Sequence, residues 1–181
     1  MNIAVIRKKY HEMREEKRHN VFREKREALS DALHKSGKKI IILSSDCVGG
    51  RIMKDYELPE YTPTVNNWYS SSDFLKICSN PDYYFSQKVE YIGEDEHCEP
   101  MGRIDDVVVH FGHSSGFDES LKKWEIGCKS YFRAKRKGSY EICVIMNDRN
   151  YFEQEFLDLF EKLPYKNKVL FVHRKDWERN N

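Results

Sequence analysis

Four apolar runs punctuate the chain, and each gives way at once to polar or ionisable residues. Lys39-Ile40-Ile41-Ile42-Leu43 leads into Ser44-Ser45-Asp46-Cys47-Val48-Gly49-Gly50, and Asp106-Val107-Val108-Val109-His110-Phe111 into Gly112-His113-Ser114-Ser115. Ile142-Cys143-Val144-Ile145-Met146 leads into Asn147-Asp148-Arg149-Asn150, and Val169-Leu170-Phe171-Val172 into His173-Arg174. Continuous β-branched runs of this length read as strands buried on both faces. Between them the pattern turns helical, from Phe117 to about Arg136 behind a Ser115 cap, and from Tyr151 to Lys162 before Pro164. Shorter helices are predicted over Arg51 to Tyr56 and from Ser71 or Ser72 through Cys78, with a further strand at Val89 to Ile92. Strands alternating with helices predict an α/β fold: a mainly parallel sheet with helices on both faces, Rossmann-like in arrangement.

Ahead of the first strand, Tyr10, Met13, Phe22, Leu29 and Leu33 recur at near-helical spacing, and Gly37 follows as a stop. This predicts a long basic N-terminal helix, and hence an extension over residues 1–38 before an α/β domain over 39–181. Charge sharpens that division. Residues 7–39 hold 12 Lys and Arg against 6 Asp and Glu, while the whole chain has a net charge of only +1, so the remainder is acidic. The basic segment suits an anionic membrane surface or an acidic partner, and nothing in it points to nucleic acid. At 181 residues the chain can bury a core without staples. Its five cysteines (Cys47, Cys78, Cys98, Cys128 and Cys143) form no CxxC pair, no signal sequence is evident, and they read as reduced cytosolic thiols. No apolar run approaches the roughly 20 residues of a membrane span, in keeping with a mean hydropathy of -0.79.

In open parallel sheets ligands sit beyond the carboxyl ends of the strands. That rule gathers Asp46, His110, His113, Asn147, Asp148, Arg149 and His173 on one edge. The loop Ser45 to Gly50, with Asp46, Cys47, Gly49 and Gly50, has the composition to aim backbone N–H groups at an anion, although it matches neither GxGxxG nor GxxxxGK[ST]. Asn67 and Trp68, in Val65-Asn66-Asn67-Trp68-Tyr69, pair amides with aromatics, a mixture that recognises a sugar or a base. The acidic loop Glu94 to Glu99, with His97 and Cys98, lacks the spacing of a metal site. Asn147-Asp148-Arg149 is not an Asp-x-Asp pair; the sequence therefore specifies no cofactor and leaves a divalent metal open.

Several segments together resemble the bacterial DUF1919 family, often labelled exopolysaccharide biosynthesis proteins or acetyltransferases. They are Ser44 to Gly50, Leu58-Pro59 with Thr62-Pro63-Thr64, Gly102 to Val107 through His110 and His113, Lys123-Trp124-Glu125, Asn147-Asp148-Arg149, and Leu163 to Val169 through His173. The family commonly has Asn-Cys-Trp-Gly-Gly where this chain has Asp46-Cys47-Val48-Gly49-Gly50. The resemblance implies a role in building surface polysaccharide at the cytoplasmic side of the membrane. Hexapeptide repeats are absent, as is the Gly-rich signature of acyl-CoA enzymes, so the expected reaction is sugar transfer from a nucleotide-sugar donor to a saccharide or lipid-linked acceptor. Asp148 is then the catalytic carboxylate with His113 in reserve, and Ser45, Asp46, Cys47, Gly49, Gly50, Asn67, Trp68, His110, Asn147, Arg149 and His173 hold the donor. Two alternatives carry different chemistry: acyl transfer or hydrolysis with Cys47 as nucleophile and His110 or His113 as base, or a noncatalytic subunit that acts with a partner.

Overall fold

The structure, a computed structural model, describes residues 23–59, 62–138, 140–147 and 154–171. Helix α1 covers residues 23–36 and strand β1 Lys39–Ser44; α2 (Val48–Asp55), α3 (Ser71–Ser79) and α4 (Pro81–Ser86) follow. Next come β2 (Glu90–Glu94), β3 (Pro100–Ile104), β4 (Val107–His110), α5 (Phe117–Arg136), β5 (Tyr140–Asn147), α6 (Gln154–Lys162) and β6 (Asn167–Phe171). The fold is mixed α/β. A parallel sheet of order β1-β5-β6 sets Ile42 beside Cys143 and Ile145 beside Val169.

The apolar run of β1 divides by alternation, as strand geometry requires. Ile41 and Leu43, with Val144 and Met146 of β5, enter the main core with Phe74, Ile77, Trp124, Tyr131 and Phe160 from α3, α5 and α6. Ile42 and Ile145 face the other way and meet Met53 and Val65, with Ile52 and Leu58 packed alongside. Both faces of the sheet are thereby covered, and α1 adds Leu29 and Leu33 beside Ile40 on the second face.

One expected strand belongs elsewhere. Val107–His110 does not join the parallel sheet; it pairs antiparallel with β3, and β3 with β2, in a separate three-stranded meander. The reason is the two-residue link Asp105-Asp106. A parallel neighbour needs a crossover of a dozen or more residues, whereas two residues close a hairpin. Asp105 takes the left-handed conformation (φ 54°) that such a turn demands.

Local starts also differ from the sequence reading. Helix α2 begins at Val48 rather than Arg51, so the Gly pair lies inside its first turn instead of in an open loop. Helix α3 is capped by Ser70, whose hydroxyl accepts from the Asp73 amide. Gly116 occupies the cap position of α5, and Ser115 instead donates from its backbone to Glu119 at 3.0 Å. Residues 1–22 of the predicted N-terminal helix, the start of the helix expected from Tyr151, and the expected strand residue Val172 lie outside the described residues.

Candidate functional site

Strand β1 lies at the edge of its sheet, and its outward polar groups are met by side chains rather than by another strand. The Thr62 hydroxyl donates to the Ile42 carbonyl (2.8 Å), and the Ser44 amide donates to the Thr64 hydroxyl (3.2 Å). The two hydroxyls themselves stand 3.1 Å apart. Pro63 between them lacks an N–H and could not extend a ladder, so side-chain hydroxyls serve in its place. The segment then reaches the meander: Trp68 and His110 exchange two backbone hydrogen bonds of 3.0 Å, and the Tyr69 amide donates to the Ser45 carbonyl. Segment 62–69 thus ties the end of β1 to the end of β4.

Glycines let other elements close onto that segment. A Cβ on Gly127 of α5 would strike Pro63, one on Gly50 of α2 would strike the Asn66 side chain, and one on Gly112 would sit 3.0 Å from the Asn66 carbonyl. Gly49 is closed in the same way, because a Cβ there would lie 2.5 Å from Ser44 Cβ. The Gly pair therefore answers to packing. Its neighbourhood is also hydrogen-bonded internally: the Val48 amide donates to Asp46 Oδ1 (2.9 Å) and the Gly49 amide to Ser44 Oγ (3.1 Å). An anion approaching the loop from Ser45 to Gly50 would find these two donors in use.

Asp46 and Asn147 meet at the carboxyl ends of β1 and β5, where Asn147 Nδ2 donates to Asp46 Oδ2 at 2.8 Å. The Asn147 amide donates to Ser45 Oγ at 3.0 Å. Ser45 and Asp46 are both buried. These contacts lock the two strand ends together. Asp148, Arg149 and His173, expected beside them, lie outside the described residues.

Beyond this lock lies a cleft of three adjoining hollows, and Asn66 and His113 stand in the walls of all three. Both hold left-handed backbone, with φ 65° and 59°. For a residue with a Cβ that conformation costs about 1–2 kcal/mol, and it recurs at functional sites. The first hollow, about 610 Å³, is walled by Cys47, Arg51 and Lys54, and those two cations form no ion pair among the described residues. The second, about 400 Å³, is walled by Cys47, Asn67, Trp68, Glu96, His97 and Glu99. The third, about 280 Å³, runs under His113 toward Ser114, Lys123 and Trp124. The Lys123 ammonium donates to the His113 carbonyl at 3.3 Å and pairs with Glu119 at 2.7 Å. Those contacts, with Ser115, draw the Glu119 pKa down to about 2, hydrogen bonding by Lys123 being the largest cause.

His110 stands behind the second hollow. Its ring stacks on Trp68 with centroids 3.3 Å apart and planes 20° apart, and its Nδ1 lies 3.0 Å from Asp95 Oδ2. Trp68 Nε1–H donates to Glu99 Oε2 at 2.9 Å. The Asp95 carboxylate also accepts the amides of His97 (2.9 Å) and Glu99 (3.0 Å). Burial pushes the Asp95 pKa up, but these donors together with His110 outweigh it, and the net shift is downward. His110 is therefore a positioning residue for Trp68. Arg51, Lys54, Asn66, Glu96, Glu99 and Lys123 are the cleft residues that the sequence reading did not select. Two of its segments, Val65 to Tyr69 and the acidic loop Glu94 to Glu99, did contain some of them. Among the described residues no group of three His, Cys, Asp or Glu side chains is arranged to hold a metal ion.

Fold and cleft define an α/β domain with a polar, charge-divided cleft at the carboxyl end of a parallel strand. The chain belongs to the DUF1919 family: that family's model, described as a domain of unknown function, matches residues 17–179. It is also similar to a protein of Haemophilus influenzae described as an uncharacterized protein, with 32% identity over 133 residues, covering 74% of this chain and 61% of that protein. The chain thus spans less than two-thirds of that relative's length.

Proposed function

We propose that the domain is a glycosyltransferase of bacterial surface-polysaccharide synthesis, taking a sugar from a nucleotide-sugar donor to a saccharide or lipid-linked acceptor. The observation that carries this reading is the division of charge across the cleft. Arg51 and Lys54 wall one hollow, Glu96 and Glu99 wall the next with Trp68, and Asn66, Cys47 and His113 form the seam. Glycosyl transfer needs such a division. A bond forms between the acceptor oxygen and the anomeric carbon, the bond from that carbon to the diphosphate oxygen breaks, and its electron pair leaves with the diphosphate. Cations stabilise that departing charge, and a base takes the acceptor proton. Arg51 and Lys54 supply the cations, in place of the loop amides already in use. His113 at the seam, with Asp148 as the second candidate, supplies the base.

The parallel sheet, covered on both faces, is read here as a Rossmann-like nucleotide-binding core, with the donor at the carboxyl ends of β1 and β5. The proposed location is the cytoplasmic face of the membrane, where a lipid-linked acceptor is presented.

A thermal-shift screen of nucleoside diphosphates and nucleotide sugars tests the proposal. A ligand at 100 times its Kd adds about 2.7 kcal/mol of stability. Arg51 and Lys54 are exposed, so Arg51→Ala with Lys54→Ala leaves the core intact and should weaken nucleotide binding at least tenfold. No shift with any nucleotide, or an unchanged shift in the double variant, refutes the reading.

A further inference from the structure

Trp68 is held more firmly than a half-buried loop residue requires. One face of its indole lies against the His110 ring, its N–H is engaged by Glu99, and its backbone is paired in both directions with that of His110. His110 is fixed in turn by Asp95, which also accepts two amides of the loop that carries Glu99. His110 is not itself in the wall of the 400 Å³ hollow, whereas Trp68 is. Of the two stacked rings Trp68 is thus the one that lines the hollow, beside Glu96, Glu99 and Asn67.

We infer that Trp68 is the stacking platform for a hexopyranose ring bearing no acid group, the acceptor-side sugar of the transfer proposed above. The inference rests on that reading for the word acceptor; the platform itself rests on geometry. A pyranose has a face of C–H groups, which are weakly positive, and a rim of hydroxyls. The indole face is the negative part of its quadrupole and meets the former. The hydroxyls find acceptors in carboxylates whose oxygens each carry two lone pairs. Glu99 is already oriented by Trp68, so ring and rim are recognised by one preformed unit that loses little freedom on binding. The size agrees, since 400 Å³ falls within the roughly 300–1,000 Å³ of small-molecule sites. Charge decides the class of sugar. Two carboxylates in the wall disfavour a uronic or sialic acid, while a neutral or amino sugar meets no like charge there.

Saturation-transfer NMR on the full chain provides the test, with methyl glucoside, methyl galactoside, glucosamine, glucuronate and uridine as probes. Expected are transfer to the C–H protons of one ring face for the neutral and amino sugars and at least tenfold weaker binding of glucuronate. Trp68→Ala should lose at least tenfold in sugar affinity and Trp68→Phe less, with Glu96→Gln plus Glu99→Gln narrowing the gap to glucuronate. Far-UV circular dichroism and the Tm without ligand serve as the folding control for each variant, and the nucleotide shift assigned to Arg51 and Lys54 is read in parallel. If that shift persists while no sugar responds to Trp68, the platform is refuted and the donor half of the transfer reading stands. If sugars bind through Trp68 but no nucleotide binds anywhere, the transfer reading falls and the platform stands. Uridine in place of the sugars, lost in Trp68→Ala, would make this a base site and overturn the inference.

Discussion

Asp95 shows how one residue holds a surface loop in working order. Burial by itself would raise its pKa, and its side chain is only 6% exposed. The amides of Glu99 and His97 and the His110 ring nevertheless keep its pKa below the ordinary value. The sign of the consequence follows from linkage: the unfolded chain, with Asp near 3.9, binds the proton first. The stabilisation is therefore complete above about pH 4 and is lost as pH falls through the lower folded value. Asp82, held down by Lys135 and Tyr131 against its own burial, adds in the same direction. Asp95→Asn should flatten the fall in Tm between about pH 4 and pH 2 and, by loosening His110, lower affinity for any ligand on Trp68. Thermal melts at pH 6, 4 and 3 are the measurement. A variant with the wild-type slope would show that the Asp95 contacts do not persist in solution.

At the scale of elements, the exposed edge of β1 is closed by two hydroxyls, and this makes a local stability claim. Thr64→Val is nearly isosteric but leaves the buried Ser44 amide without its acceptor. An unsatisfied buried donor costs about 1–3 kcal/mol. Urea unfolding of Thr64→Val should show a loss in that range with little change in m-value, while Thr64→Ser, which keeps the oxygen, should lose less. A variant as stable as wild type would mean that water replaces the hydroxyl. The same region marks where the sequence was readable. Strands β1 and β5 stood out because unbroken β-branched runs specify burial on both faces. Strand β3 did not, since Met101, Gly102 and Arg103 neither alternate nor favour a strand. Without β3, β4 has no hairpin partner in the sequence pattern and reads as a strand of the parallel sheet, although Ile104-Asp105-Asp106-Val107 carries a two-residue turn. A Gly pair reads as a break, so the sequence pattern places the start of α2 at Arg51, three residues after its true start at Val48. In the folded chain Ser44 and Asp46 accept the amides that a helix start leaves open, and α2 begins ahead of the Gly pair. The Asp46–Asn147 contact behind the cleft can be anticipated from two strand ends. Asn66, Glu99 and Arg51 cannot, because they converge only through segment 62–69, whose threonines pair with β1 at a distance of 20 residues.

Across the whole molecule the 31 Lys and Arg and 30 Asp and Glu nearly cancel, but their placement does not, and the basic excess lies in residues 7–39. In the described part of that segment Leu29 and Leu33 line an open groove with Ile40, Ile42 and Ile52, and Leu29 stays 49% exposed. Arg26 pairs with Asp55 at 3.6 Å, and the Ser30 hydroxyl donates to the Tyr56 carbonyl. No described helix is long and apolar enough to cross a bilayer. The attachment proposed for an anionic membrane rests on that basic excess. Each net basic residue near such a surface contributes at most about 1 kcal/mol, and screening over roughly 8 Å at physiological salt reduces it. Several acting together would hold the protein reversibly and release it as salt rises. Sedimentation with vesicles containing an anionic phospholipid should show binding at low ionic strength that is lost in about 0.5 M salt, where the Debye length falls below that of physiological solution. Replacing Lys8, Lys9, Arg14, Lys17 and Arg18 with Gln removes most of the excess without touching a described contact, and should abolish sedimentation while leaving Tm and nucleotide affinity unchanged. If the unaltered chain ignores anionic vesicles at low salt, or if the Gln variant sediments equally well, the basic segment has a different partner and the membrane assignment is wrong.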